Sequence, residues 1–309
     1  MRCLVAAVAG SLALPGLADA HPSGFDIHTP WWRAWHWDWV VAVNLTVLTM
    51  LYALGLARIR VRRGWPGIEG WPGIEGWRVA AFLAAIVALG VALMSPLDTL
   101  ANDLSWVHMS QHMVLMVVAA PLIVVGSPGL VITWALPLRW RRTVWRRLLG
   151  RKSAAGRWAI ALLWNALWIW ILHATVLWIW HLPMLYQLAL RDPLVHDFEH
   201  LTFFLVACLF WRVAIDARTV PTLNPGLSIL YLFTTSLHAT VLGVLMALSP
   251  KVWYPAYLGR TQPWGLTPLE DQQLAGLIMW MPACLVYALV AMVLLSNWLR
   301  QMERSEAGQ

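Results

Sequence analysis

Seven stretches of this chain are long and apolar enough to cross a lipid bilayer, which leaves few folds open to it. A hydrocarbon core of about 30 Å takes about 20 helical residues. Stretches that meet this length lie near 39–57, 78–95, 106–126, 158–180, 197–215, 227–248 and 272–299. Lipid offers no partner to a backbone N–H or C=O, so each stretch predicts a helix. The sequence therefore predicts an all-α, polytopic membrane protein with seven transmembrane helices. Composition agrees: 60% of residues are hydrophobic and 12% charged, about half the charged share of a soluble domain. The 23 tryptophans suit the membrane–water boundary, where the ring is apolar and its N–H reaches water.

Residues 1–20 have the layout of a cleavable signal peptide, with Arg2, a short apolar run from Leu4 to Leu17, and the small-x-small site Ala18-Asp19-Ala20. Cleavage there predicts a mature chain of 21–309 with His21 outside the cytoplasm. The basic residues fit that orientation. With the N-terminus outside and the C-terminus cytoplasmic, 17 of the 22 Lys and Arg face the cytoplasm, against Arg33, Arg191, Lys251 and Arg260 outside and Arg2 in the signal. Positive charge held on the inner side is what sets membrane topology. The net charge of +7 is thereby accounted for without nucleic acid, which is not expected as a partner.

Other segments carry less. WPGIEG occurs twice in tandem, at 65–70 and 71–76, too short a period for a repeat architecture. The stretch Trp134–Arg157 mixes Trp and Leu with many Arg, as a helix lying on anionic membrane lipid does. Cys3, Cys208 and Cys284 form no spaced pair, so neither a disulfide framework nor a thiolate metal site is expected.

The ten histidines hold the chemistry, and their expected positions avoid the cytoplasmic face. His21, His28 and His36 precede the first span, His108 and His112 open the third, His181 closes the fourth, and His196 and His200 open the fifth. His108/His112 and His196/His200 are both i, i+4 pairs, which puts each pair on one helix face with both imidazoles able to reach one ion. Two such pairs with His181 beside them supply a site of three or four nitrogens. Imidazole suits copper and zinc, and thioether softness adds preference for Cu(I). Met109, Met113, Met116, Met184 and Met246 stand at or below that level. The bland alternative is that these imidazoles bind lipid headgroups or loop carbonyls.

His173 and His238 lie deeper, where polar groups are costly and functional by default. Asn165, Thr234, Thr235, Ser236 and Thr240 are candidate hydrogen-bond partners for them. Acidic residues sit near the same outer ends: Asp98, Asp103, Asp197, Glu199, Glu270 and Asp271. Helix capping is the expected role of Asp197, Glu270 and Asp271. Glu199 is the better candidate to orient a ligand imidazole. His196-Asp197-Phe198-Glu199-His200 also matches H-x-x-E-H, the inverted zinc-protease motif.

Several stretches then resemble one family. Met94-Ser95-Pro96-Leu97-Asp98, His108-Met109-Ser110-Gln111-His112, Ala119-Ala120-Pro121-Leu122, Trp180-His181-Leu182-Pro183 with Tyr186, His196 through Glu199-His200 to Phe203-Phe204, and Glu270-Asp271-Gln272-Gln273-Leu274-Ala275-Gly276 with Trp280 and Pro282 occur in order across roughly 90–290. Together they resemble the multi-span CtaG family of cytochrome c oxidase assembly proteins. The resemblance implies an assembly factor of the bacterial inner (plasma) membrane that assists maturation of a haem–copper oxidase. It implies copper as the ion handled, the oxidase core subunit as partner, and a periplasmic copper chaperone as a further one. An unrelated single-span copper chaperone shares the name but uses cysteines, a pattern absent here.

On this reading His108, His112, His181, His196 and His200 are the metal ligands. His173, His238, Glu199, Met109, Met113 and Met116 serve as relay or supporting groups, and the chain is not an enzyme. Three alternatives stay open: a b-type haem protein with histidines of facing helices as axial ligands, a zinc-dependent membrane hydrolase built on His196, Glu199 and His200, and a scaffold without metal.

Overall fold

The computed structural model of the chain describes residues 30–63 apart from 34 and 36, then 75–140, 165–215 and 223–307. Expectations about residues 1–20, His21, His28, His36, the WPGIEG tandem up to residue 74, and 141–164 lie outside the described residues.

The described residues form helices and no strands. Seven helices organise the fold: α1 (Trp39–Arg63), α2 (Gly76–Met94), α3 (Ser105–Gly126), α4 (Ala166–Trp180), α5 (Pro193–Ile215), α6 (Pro225–Ala247) and α7 (Pro268–Ala307). Six of them are each long and apolar enough to cross a membrane. The bent pair of α4 and Pro183–Ala189 makes a seventh if counted as one span. The bend of 77° has a local cause. Pro183 cannot donate a helical hydrogen bond, and the residue before a proline is pushed out of the helical region; Leu182 is extended accordingly, at ψ 130°.

Helix starts are written in the same chemistry. α5, α6 and α7 each begin on a proline, whose missing N–H is an orphan at that position anyway. Their starts lie a few residues earlier than apolar length alone places them. Asp38 caps α1 through the N–H of Val40 at 2.7 Å, and Asn165 caps α4 through that of Trp168 at 3.0 Å. The capping role expected of Asp197 falls instead to Asp192, which accepts from Leu194 at 2.9 Å and Val195 at 3.3 Å. Glu270 does cap, in a box with Thr267 in which each side chain accepts from the other's backbone N–H.

The main apolar core is shared by α3 to α7 and includes Met109, Met116, Phe203, Phe210, Trp211 and Tyr231. A second cluster joins α1 and α2, where Tyr52 stacks on Phe82 at 3.8 Å. The start of α3 packs on α7, and its later turns lie against α2 and α5; α4 lies on α5 and α6. α6 and α7 run in close contact. An added Cβ on Gly276 would stand 2.6 Å from the Gly243 carbonyl oxygen, so only glycine permits this approach.

α3 widens into a π-helical turn over Val114–Ala119, just ahead of Pro121, whose ring cannot fit an ordinary helical turn. The opened ladder lets Trp211 Nε1 of α5 donate to the Met116 carbonyl at 2.8 Å. α3 is thereby pinned to α5 one turn beyond His112. At the far end of α3, Tyr52 donates to the Gly126 carbonyl at 3.0 Å and Arg78 to that of Val125 at 2.9 Å. These bonds satisfy carbonyls that the helix end leaves open.

Candidate metal centre

The residues around the expected ligands explain how two helices come to share one site. His108 and His112 lie one turn apart near the start of α3. His196, Glu199 and His200 lie on one face near the start of α5, since i, i+3 and i+4 positions coincide on a helix. All five side chains are buried. Candidate ligand atoms of His108, His196 and His200 lie within 4.8 Å of one another, as do those of His108, His112 and Glu199. His108 belongs to both sets, so the cluster is continuous. Ring centroids are 4.3 Å apart for His108 and His112, 4.1 Å for His196 and His200, and 5.3 Å for His112 and His200 across the helices.

The carboxylate occupies a more central place than sequence assigned it. Glu199 is 1% exposed, with its oxygens 3.7 Å from His108 Nε2 and 3.9 Å from His112 Nε2. Those separations are too long for hydrogen bonds. Both oxygens of Glu199 and both ring nitrogens of His108 and of His112 lack a hydrogen-bond partner, though all are shielded from solvent. Leaving one buried polar atom unpaired costs about 1–3 kcal/mol, so six on three neighbouring side chains demand an explanation. An ion held among them satisfies carboxylate and imidazoles together, and the donor set of imidazole nitrogen and one carboxylate fits copper or zinc. Glu199 is thus a candidate ligand as well as a supporting group.

His181 stands beside the cluster, at the bend after α4. Its Nδ1 lies 2.7 Å from the Leu177 carbonyl, so Nδ1 carries the proton and Nε2 keeps its lone pair. That Nε2 has no partner. Phe203 separates His181 from His112, at ring distances of 6.2 and 4.7 Å. The structure therefore brings four of the five expected histidines and Glu199 into one cluster, with His181 adjacent.

His173 and His238 form a pair of their own, 6.1 Å apart between ring centroids. The hydroxyls expected to partner His238 are turned elsewhere. Thr234 and Thr235 donate to backbone carbonyls one turn back, and Ser236 and Thr240 contact Cys284 Sγ. Asn165 caps α4 rather than meeting His173. Met109 and Met116 are buried in the main core and Met113 packs against it, whereas Met184 is exposed.

Sequence reasoning missed the aromatic cover over the cluster. Tyr186 lies 5.0 Å from His108 and stacks on Tyr254 at 3.9 Å. Its hydroxyl meets that of Tyr257 at 3.1 Å, and Tyr257 in turn donates to the Ala101 carbonyl at 3.1 Å. Tyr254 donates to the His181 carbonyl at 3.0 Å. Burial pushes the hydroxyls of Tyr254 and Tyr257 well above their ordinary range, which keeps both as neutral donors. Tyr186 falls inside a resembling stretch, but nothing in the sequence marks Tyr254 or Tyr257.

Two further contacts hold the cluster's scaffold. Gln111, between the two α3 histidines, donates to Asp98 at 2.8 Å and to the Ala92 carbonyl at 2.9 Å, which ties α3 to the end of α2. Asp271 was expected to cap its own helix. Instead it accepts from the first turn of α3, at Ser105 and Trp106.

Fold and site together define a polytopic helical membrane protein with a buried imidazole–carboxylate cluster at one end of its bundle. Residues 50–301 match the family described as cytochrome c oxidase caa3 assembly factor (Caa3_CtaG), and the chain belongs to that family. It is similar to uncharacterized proteins of Mycobacterium bovis and Mycobacterium tuberculosis, each 29% identical over 87% of this chain and 40% of the relative. A third uncharacterized protein, from Mycobacterium leprae, is 26% identical over 91% of this chain and 42% of its own length. The chain thus spans about two-fifths of the curated relatives it matches. No solved structure matches it.

Proposed function

We propose that this assembly factor receives copper at the outer end of its bundle and supplies it during maturation of a haem–copper oxidase core subunit in the bacterial plasma membrane. One observation carries the reading: four imidazoles from two spans cluster together, and two of them face a buried carboxylate whose oxygens have no hydrogen-bond partner. Charge favours the monovalent ion. One carboxylate neutralises Cu(I), whereas a divalent ion would leave a net charge in a buried site, which is expensive. Copper is cargo here, so the chain acts as a carrier and not as an enzyme.

The topology that suits this role has the N-terminus outside after removal of residues 1–20, seven spans, and the C-terminus cytoplasmic. A periplasmic copper chaperone then meets the cluster from outside, and the oxidase subunit docks alongside in the membrane. The hydrolase and haem alternatives gain no comparable support. A hydrolase needs a substrate cleft at His196, Glu199 and His200, but all three are buried. A macrocycle between α3 and α5 would have to displace the Glu199 carboxylate.

The test is a deletion strain. Oxidase purified from it should contain the core subunit with haem but a lowered copper-to-haem ratio, and excess copper in the medium should restore part of the activity. A normal ratio in scarce oxidase would replace copper supply with scaffolding.

A further inference from the structure

A second pair of histidines lies deeper in the bundle. His173 is on α4 and His238 on α6, with ring centroids 6.1 Å apart at an interplanar angle of 64°. His173 is 3% exposed and its Nδ1 has no hydrogen-bond partner. Neither nitrogen of His238 has one, and both are shielded from solvent. The walls are aromatic: Phe210 lies 4.7 Å from His173, and Trp170 meets His238 edge-on at 5.5 Å. Ser236 and Thr240 flank His238 two residues away on either side, hence on the opposite helix face, where they contact Cys284.

We propose that His173 and His238 form a second metal site, which takes one Cu(I) ion in two-coordinate geometry. The proposal takes its ion from the copper reading above but rests on different residues. Separation fits: two metal–nitrogen bonds of about 2 Å each, extended by the two half-rings, span about 6 Å between centroids. The histidine χ2 torsion is broad, so a nitrogen of either ring can turn into the gap. The donor set selects the ion. Zinc sites of this kind take four ligands and Cu(II) prefers a tetragonal set, whereas these two neutral nitrogens stand among rings that offer no further ligand. Among the described residues no carboxylate stands in that aromatic pocket, so one positive charge is tolerated better than two, and binding is weaker than at the Glu199 cluster.

Position gives the site a use. Phe203 packs on His112 at 4.7 Å and Phe210 on His173 at 4.7 Å. The two phenylalanines are two turns apart on the same face of α5, a rise of about 10 Å. The deeper pair is thus one step inward from the outer cluster along a single stripe. An ion leaving the cluster finds two nitrogens there instead of bare hydrocarbon.

The experiment titrates the detergent-purified full chain with Cu(I) under reducing, anaerobic conditions, against the chromophoric Cu(I) chelator bicinchoninate. Wild type should bind two ions in two steps, and His173→Gln/His238→Gln should lose the weaker one. His112→Ala/His200→Ala should lose the tighter one and, loaded with one equivalent, show two nitrogen ligands by X-ray absorption. Two ions retained by the His173/His238 variant overturns the deep site. One ion in wild type and none in His112→Ala/His200→Ala also removes it, while leaving the outer cluster standing. No Cu(I) bound to wild type ends both. Should that double variant fail to fold, His173→Gln alone, which removes one of the two nitrogens, decides in its place: loss of the weaker ion supports the deep site, and two ions retained overturns it.

Discussion

Asp271 and Ser105, 166 positions apart, are joined by two hydrogen bonds to one carboxylate oxygen: Asp271 Oδ2 accepts from the Ser105 N–H at 2.8 Å and from its hydroxyl at 2.6 Å. The opening turn of α7 thereby caps α3, the helix that carries His108 and His112. A buried carboxylate aimed at a helix N-terminus satisfies orphan donors and complements the helix dipole. The contact fixes how far α3 enters the bundle, and with it the height of two candidate ligands.

Asp271→Asn should therefore lower stability by about 1.5–3 kcal/mol, the usual range for a hydrogen bond to a charged group. The measurement is thermal unfolding in detergent. Glu270→Gln, on the exposed neighbour, should change it much less. Equal melting of both variants would show that the cap does not position α3.

Glu199→Gln keeps the side-chain volume and removes the charge. Cu(I) affinity of the outer cluster should fall by about tenfold or more, equivalent to about 1.4 kcal/mol, while the protein stays folded. Competition titration with a Cu(I) chelator reads this directly. Unchanged affinity would demote Glu199 from ligand to spectator.

The double variant His112→Ala/His200→Ala removes one imidazole from each helix and should eliminate most metal at the outer cluster, as judged by metal analysis at equal protein. His28→Ala and His36→Ala should matter little. Full metal content in the double variant refutes a shared site.

Close helix contact at Gly243 and Gly276 gives a packing test. A Cβ at Gly276 meets the Gly243 carbonyl oxygen at 2.6 Å and the Ala247 nitrogen at 2.7 Å, so Gly276→Ala must push α6 and α7 apart. Overpacking of this kind costs about 1–3 kcal/mol. At Gly90, in α2, a Cβ meets nothing within 4 Å, and Gly90→Ala should be neutral or stabilising by about 0.5–1 kcal/mol. Similar thermal stability of the two alanine variants would contradict the observed crossing.

Topology is testable with a reporter active only outside the cytoplasm. Fusions after Ala20, near Asp103, near Pro193 and near Gly259 should be active. Those after Arg63, Arg151, Arg218 and Gln309 should be silent. Activity at Arg151, in the stretch of sequence richest in Arg and Lys, would reverse the proposed orientation.

The sequence by itself determined the helices and the faces that carry the paired histidines. Apolar length forces a helix in lipid whatever its neighbours do, and i, i+4 spacing places His108 with His112, and His196 with His200, through local geometry alone. Both are properties of single segments, and the helix over 106–126, read from hydropathy, is found at Ser105–Gly126. What the tertiary structure decided is everything that depends on which faces meet. It moved Glu199 from a supporting role into contact range of two histidines on another helix. It gave Asp271 to α3 rather than to its own helix, brought Tyr254 and Tyr257 over the cluster from a loop with no distinguishing pattern, and paired His173 with His238 while leaving His181 beside the four-histidine cluster. Segment hydropathy carries no record of rotation about a helix axis or of register between helices. Those are set by side-chain interlock, by the glycine contact of α6 with α7, and by the π turn that pins α3 to α5.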